Sequence, residues 1–115
     1  MSAEIPIVTK SRCGILKVSD IMYISLNYRK SEIHTKGDEI TVYCPRGEVE
    51  GYLDQRFSHC LKNLIINFDQ VLRMDNGVIS FRNGEEIRLG RNSYIKARQN
   101  FAAYMINRKK LLANA

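Results

Sequence analysis

The sequence predicts a mainly β domain built of small antiparallel sheets, with one short internal helix and one helix at the C-terminal end. Short apolar or alternating runs recur from Ile5 to Leu89, as strands do. Turn formers separate them, at Lys36-Gly37-Asp38, Asp75-Asn76-Gly77 and Asn83-Gly84. Past Gly90 the pattern changes to helical spacing, with Ala97, Phe101, Met105 and Leu112 near one face.

Taken in order, Ile5-Pro6-Ile7-Val8 fits an edge strand, restricted by Pro6. Gly14–Val18 reads as a strand, Ser19-Asp20 as a turn, and Ile21–Leu26 as a buried strand. The polar stretch Asn27–Lys30 breaks the pattern before Ser31–Thr35 resumes it. Gly37 is able to supply a positive φ in the next turn, and Glu39–Tyr43 alternates as a half-buried strand does. Val49, Leu53 and Phe57 recur every fourth residue, which predicts a short amphipathic helix over Glu48–Gln55, weakened by Gly51. Leu64–Phe68 fits a strand or a helical turn, and periodicity does not separate them. Gln70–Met74 and Val78–Arg82 pair through Asn76-Gly77, and Asn83-Gly84 predicts a two-residue hairpin to Glu85–Leu89. Asn92 or Ser93 suits the cap of the last helix.

The chain has 115 residues, 44% apolar and 26% charged, which fits one soluble domain. No apolar run reaches the length of a membrane-spanning helix, and the N-terminus lacks a signal pattern. Three cysteines are too few and too odd for a disulfide framework, so a reducing cytoplasm is expected. Metal-ligand spacing, Gly-rich phosphate loops, paired carboxylates and nucleophile triads are not readable, which argues against an enzyme, a cofactor or a metal. The net charge of +6 is uneven. Residues 1–81 hold ten basic and ten acidic side chains; residues 82–115 hold eight basic ones against Glu85 and Glu86. Such a distribution favours a polyanionic partner.

The stretch Arg56–Asn67 interleaves apolar Phe57, Leu61, Leu64, Ile65 and Ile66 with polar His59, Lys62, Asn63 and Asn67. It resembles the signature of LytTR-type DNA-binding domains at Phe57, Cys60, Lys62 and Asn67, and departs from it at His59, Leu61 and Asn63. Asp20-Ile21-Met22-Tyr23-Ile24, Ile33-His34-Thr35 and Gly90-Arg91 match further family motifs in order, over about residues 15–105. The resemblance implies an elongated stack of small β-sheets whose loops, not a recognition helix, enter successive major grooves of duplex DNA. It implies a bacterial transcriptional regulator resembling a response-regulator output domain, bound at promoter sites with repeated half-sites. The implied DNA contacts are Arg29 with neighbouring Lys30, Lys62 with Asn63, and Arg91. Lys62 stands where the family favours Arg, so an ammonium gripping phosphate is expected there.

At this length the chain has no room for a phosphoacceptor domain, so a stand-alone regulator or an excised domain is expected, as a single unit over residues 1–115 with a helical extension over 106–115. Leu111-Leu112 motivates a second reading, a protein-interaction module that pairs with another regulator through its C-terminal helix and modulates that regulator's DNA binding; a weak homo-oligomer is the other protein partner considered. His34 reads as a surface or cross-strand residue, Asn67 as a structural amide, and Cys60 as a small buried hydrophobe with an oxidation switch as the second reading. Tyr94, Phe101 and Met105 read as core-facing.

Overall fold

The computed structural model describes residues 4–108. Its strands are β1 (Glu4–Val8), β2 (Cys13–Lys17), β3 (Ile21–Asn27), β4 (Lys30–Thr35), β5 (Glu39–Val42), β6 (Phe57–Leu61), β7 (Leu64–Asn67), β8 (Val71–Asp75), β9 (Val78–Phe81) and β10 (Glu86–Arg88). Helix α1 (Arg46–Glu50) separates β5 from β6, and α2 (Arg91–Arg108) follows β10. The strands form a five-stranded sheet in the order β5-β4-β3-β7-β6, a two-stranded sheet β1-β2, and a three-stranded sheet β10-β9-β8. All pairings are antiparallel, and the principal extents are 52 × 32 × 25 Å. This is the mainly β stack of small sheets that the sequence predicts.

The five-stranded sheet is buried on both faces, which is why β3 reads as a nearly continuous apolar run. On one face Ile65, Ile24, Ile33 and Ile40 stand opposite one another across β7, β3, β4 and β5. This isoleucine row joins Ile5 and Ile7 of β1, Leu26 and Val49 in one core. On the other face Met22, Cys60 and Ile66 pack with Phe68, Ile79, Phe81, Ala97 and Phe101. The register shifts between Ile21 and Tyr23, so that neighbouring Met22 and Tyr23 both serve the second core. Each face buries β-branched or aromatic side chains, at about 1.5–3 kcal/mol per fully buried large apolar residue.

Several local details differ from the sequence expectation. The internal helix spans only Arg46–Glu50 and gives way at Gly51. Leu53 packs on the first core from beyond the helix end. Gly37 takes no positive φ, because the Lys36–Asp38 turn is closed instead by Thr35 N–H donating to Asp38 O at 2.9 Å. Of Asn83 and Gly84 only the glycine has a positive φ, so the β9–β10 connection is a longer loop, with Phe81 N–H donating to Glu85 O. Leu64–Asn67 is a strand, and a 3-10 turn over Phe68–Gln70 follows it. Helix α2 begins at Arg91, so Gly90 holds the cap position expected of Asn92 or Ser93, and its carbonyl accepts from Tyr94 N–H at 2.8 Å. Phe101 is buried and Tyr94 half-buried, but Met105 is exposed, because the second core ends at Phe101 and Tyr104. Leu111 and Leu112 lie outside the described residues.

Candidate nucleic-acid interface

Two tight turns meet at one end of the five-stranded sheet. Tyr28-Arg29 links β3 to β4, where Asn27 stands opposite Lys30. Lys62-Asn63 links β6 to β7, where Leu61 stands opposite Leu64. The pairing of β3 with β7 places them side by side: Ser25 faces Leu64, and Leu26 N–H donates to Asn63 O at 2.8 Å. Because each turn joins neighbouring strands, their centres are about 10 Å apart, two strand spacings. The end of β5 and the start of α1 reach the same edge, since Ser31 stands opposite Val42. Two of the three predicted contact regions are thus brought together.

The side chains at this edge are exposed, and Arg29 and Lys62 among them are cationic. Tyr28, Arg29, Lys62 and Asn63 all face solvent, with Tyr28 90% exposed at the tip. Among the described residues, the Arg29 guanidinium and the Lys62 ammonium have no hydrogen-bond or ion-pair partner. Lys30 is half-buried and lies 3.8 Å from Glu32, so its charge is partly answered within β4.

Sequence reasoning missed Arg46. Its Nη2 donates to Lys62 O at 2.7 Å and its Nη1 donates to Asn63 Oδ1 at 3.4 Å. Glu50, one turn along α1, has its Oε2 3.8 Å from Arg46 Nη2 and 2.8 Å from His59 Nε2. In the sequence Arg46 only interrupts a strand pattern between Pro45 and Gly47, and no periodicity connects it to a turn sixteen residues later.

Arg91 is on a different element. It is the exposed first residue of α2, just past the three-stranded sheet, and no contact among the described residues links it to the two turns. The neighbouring Leu89 N–H donates to Gly77 O at 3.0 Å, which ties the start of α2 to the β8–β9 turn. Asn100, Tyr104 and Asn107 line a cleft with Gln55, Phe57 and Ser58, so the later half of α2 sits at the start of β6. Its first turn holds no acidic residue, and its exposed N–H groups add to the Arg91 charge.

The remaining singled-out residues make contacts inside the fold. Asn67 is fully buried; its amide donates to Ile21 O at 2.7 Å and its Oδ1 accepts from Asp69 N–H at 3.0 Å. His34 stands across from Tyr23 with ring centroids 4.2 Å apart. Cys60 is buried while neighbouring His59 is exposed, and burial pushes the Cys60 thiol up to about 11. Tyr23 is pushed up to about 12 by burial and by the Glu85 carboxylate, which accepts from its hydroxyl at 3.1 Å. Among the described residues no three His, Cys, Asp or Glu side chains gather to hold a metal, and no helix is long and apolar enough to cross a membrane.

The family model of the LytTr DNA-binding domain matches residues 11–102. A solved structure of similar fold is the LytTr DNA-binding domain of a protein described as a methyl-accepting/DNA response regulator from Bacillus cereus. It shares 19% identity at a TM-score of 0.68, over 87% of this chain and 96% of that one. No curated protein matches the chain significantly.

Proposed function

The chain belongs to the LytTr DNA-binding domain family, and from that premise we propose that it regulates transcription by reading a specific duplex through its loops rather than through a recognition helix. The observation that carries the reading is the meeting of the Tyr28-Arg29 and Lys62-Asn63 turns at one sheet end, with both cationic heads unpartnered among the described residues. Turns of this width present a few side chains at the tip of a rigid sheet, which suits entry into a major groove about 12 Å wide. In this reading Arg29 and Lys62 grip phosphate and Asn63 meets a base edge or the backbone beside it. Lys30, partly held by Glu32, adds charge from behind.

Arg91 supplies base discrimination from its separate element. An arginine at the first helical position, with no acidic residue in the first turn, opposes the helix dipole and costs about 0.3–1 kcal/mol. No internal partner offsets that among the described residues, so an external anion or base edge is the natural one. The guanidinium fork fits guanine O6 and N7 together.

The test is parallel titration of wild type, Lys62→Ala and Arg91→Ala against a duplex selected from a random pool and a scrambled duplex. Arg91→Ala is expected to cost about 1–3 kcal/mol on the selected duplex and less on the scrambled one. Lys62→Ala is expected to weaken both nearly equally. Equal losses for Arg91→Ala on both duplexes demote Arg91 to a phosphate anchor, and no selection of any duplex by the wild type overturns the reading.

A further inference from the structure

We propose that Arg46 is a positioning residue for the DNA-reading turn: it braces Lys62-Asn63 from α1 and fixes the direction in which the Lys62 ammonium and the Asn63 amide point. The proposal rests on the reading of that turn as a DNA contact.

The turn is not self-sufficient. Neither Lys62 nor Asn63 takes a positive φ, so the two-residue connection lacks the backbone twist that best suits a hairpin. The mismatch is absorbed by a register shift between His59 and Leu61, where Cys60 is the extra residue. Two consecutive carbonyls at the tip are then held from outside the hairpin. Asn63 O accepts from Leu26 N–H of β3 at 2.8 Å, and Lys62 O accepts from Arg46 Nη2 at 2.7 Å. The turn is thereby clamped between a neighbouring strand and a helix.

Arg46 is itself held in place. It opens α1, Val49 of that helix is buried in the first core, and Glu50 Oε2 lies near both the Arg46 guanidinium and His59 Nε2. The chain of contacts His59–Glu50–Arg46–Lys62 thus runs from β6 through α1 and back to the turn at the end of β6. Arg46 spends its fork on the protein, unlike Arg29 and Arg91.

The contact also sets the polarity of Asn63. A guanidinium has donors only, so the Asn63 atom that faces it is the carbonyl oxygen, at 3.4 Å. Its NH2 group is left for other partners, and the exposed Lys62 adds three more N–H donors to the same turn. The turn therefore offers donors to its surroundings, which suits the acceptors of phosphate, of guanine O6 and N7 and of thymine O4 better than the donor edge of cytosine. Lysine at position 46 has a single ammonium and no fork, so it cannot hold both acceptors in the same geometry.

The experiment uses the full chain, with a thermal melt to establish that each variant is folded. Arg46→Ala is expected to weaken binding to the selected duplex about tenfold, and Arg46→Lys to recover little of it. In a Lys62→Ala/Asn63→Ala background the effect of Arg46→Ala is expected to vanish. Backbone ¹⁵N relaxation on the free protein is expected to show the Lys62 and Asn63 amides gaining fast motion in Arg46→Ala. A loss that persists in the double-variant background makes Arg46 a phosphate anchor in its own right and overturns the proposal. So does a turn that stays as rigid as in the wild type. A Lys62→Ala/Asn63→Ala protein that binds like the wild type overturns the reading of the turn itself, and the proposal with it. A weakened double variant with an unaffected Arg46→Ala overturns the proposal alone.

Discussion

Asn67 has no contact with solvent and uses both ends of its amide, donating to Ile21 O and accepting from Asp69 N–H. Alanine there removes both hydrogen bonds from the interior. Asn67→Ala is therefore expected to lower stability by about 1–3 kcal/mol in denaturant titration while leaving the DNA-facing turns chemically unchanged. An unaltered midpoint with lost DNA binding makes Asn67 a contact residue instead. Cys60, seven residues earlier, is set apart from the surface by the same sheet. Its burial favours the neutral thiol, and the sign is that of an acid with a raised value. The contribution to stability is present below the ordinary value of 9.0 and is lost as pH rises through about 11. At neutral pH the thiolate is scarce and shielded, so an oxidation switch at Cys60 is disfavoured. Peptide mapping after brief alkylation is expected to find exposed Cys13 modified first and Cys60 last. Equal rates at the two sites refute that assignment.

The elements differ in how much of them local sequence determines. The Asn76-Gly77 turn was legible because its chemistry is local: both residues take a positive φ, 52° and 79°, which joins β8 to β9 by the turn that suits a hairpin. Gly77→Ala is expected to lose about 1–2 kcal/mol through backbone strain, since the nearest atom to an added Cβ is 3.8 Å away. Gly37→Ala, at a turn with no positive φ and open space around it, is expected to be neutral or slightly stabilising. Comparing the two melting temperatures checks both, and a matching loss at Gly37 contradicts the turn assignment. The two polar turns of the candidate interface were legible one at a time, as Arg29 and as Lys62-Asn63. Their juxtaposition was not, because it depends on β3 pairing with β7 across some forty residues, and no local pattern encodes that register. The Arg46 brace escaped for the same reason. The spacing of Val49, Leu53 and Phe57 overstated α1, since all three pack on one core while only the first lies in the helix. The bulge at Met22 was hidden inside a strand that is apolar on both faces.

At the scale of the whole molecule, shape and charge bear on the same prediction. The longest extent, 52 Å, exceeds the roughly 34 Å of one turn of duplex. The two clustered turns and Arg91 stand on separate elements, one at the end of the five-stranded sheet and one beyond the three-stranded sheet. If the turns and Arg91 address successive grooves, a duplex shorter than one helical turn can engage only one of them. In the sequence the excess positive charge falls within residues 82–115, the stretch that holds Arg91, and not in the stretch that holds the two turns. Binding of wild type to a long selected duplex is expected to fall steeply with salt, with a log–log slope of about −3 or steeper if three or more phosphates are neutralised. Truncating the duplex below one turn is expected to flatten that slope and to erase the effect of either Arg91→Ala or Lys62→Ala, whichever groove is removed. Fluorescence anisotropy over a series of duplex lengths, at several salt concentrations, reads both quantities. If both substitutions keep their full effect on the shortest duplex that binds, the turns and Arg91 share one groove, and the two-groove arrangement fails.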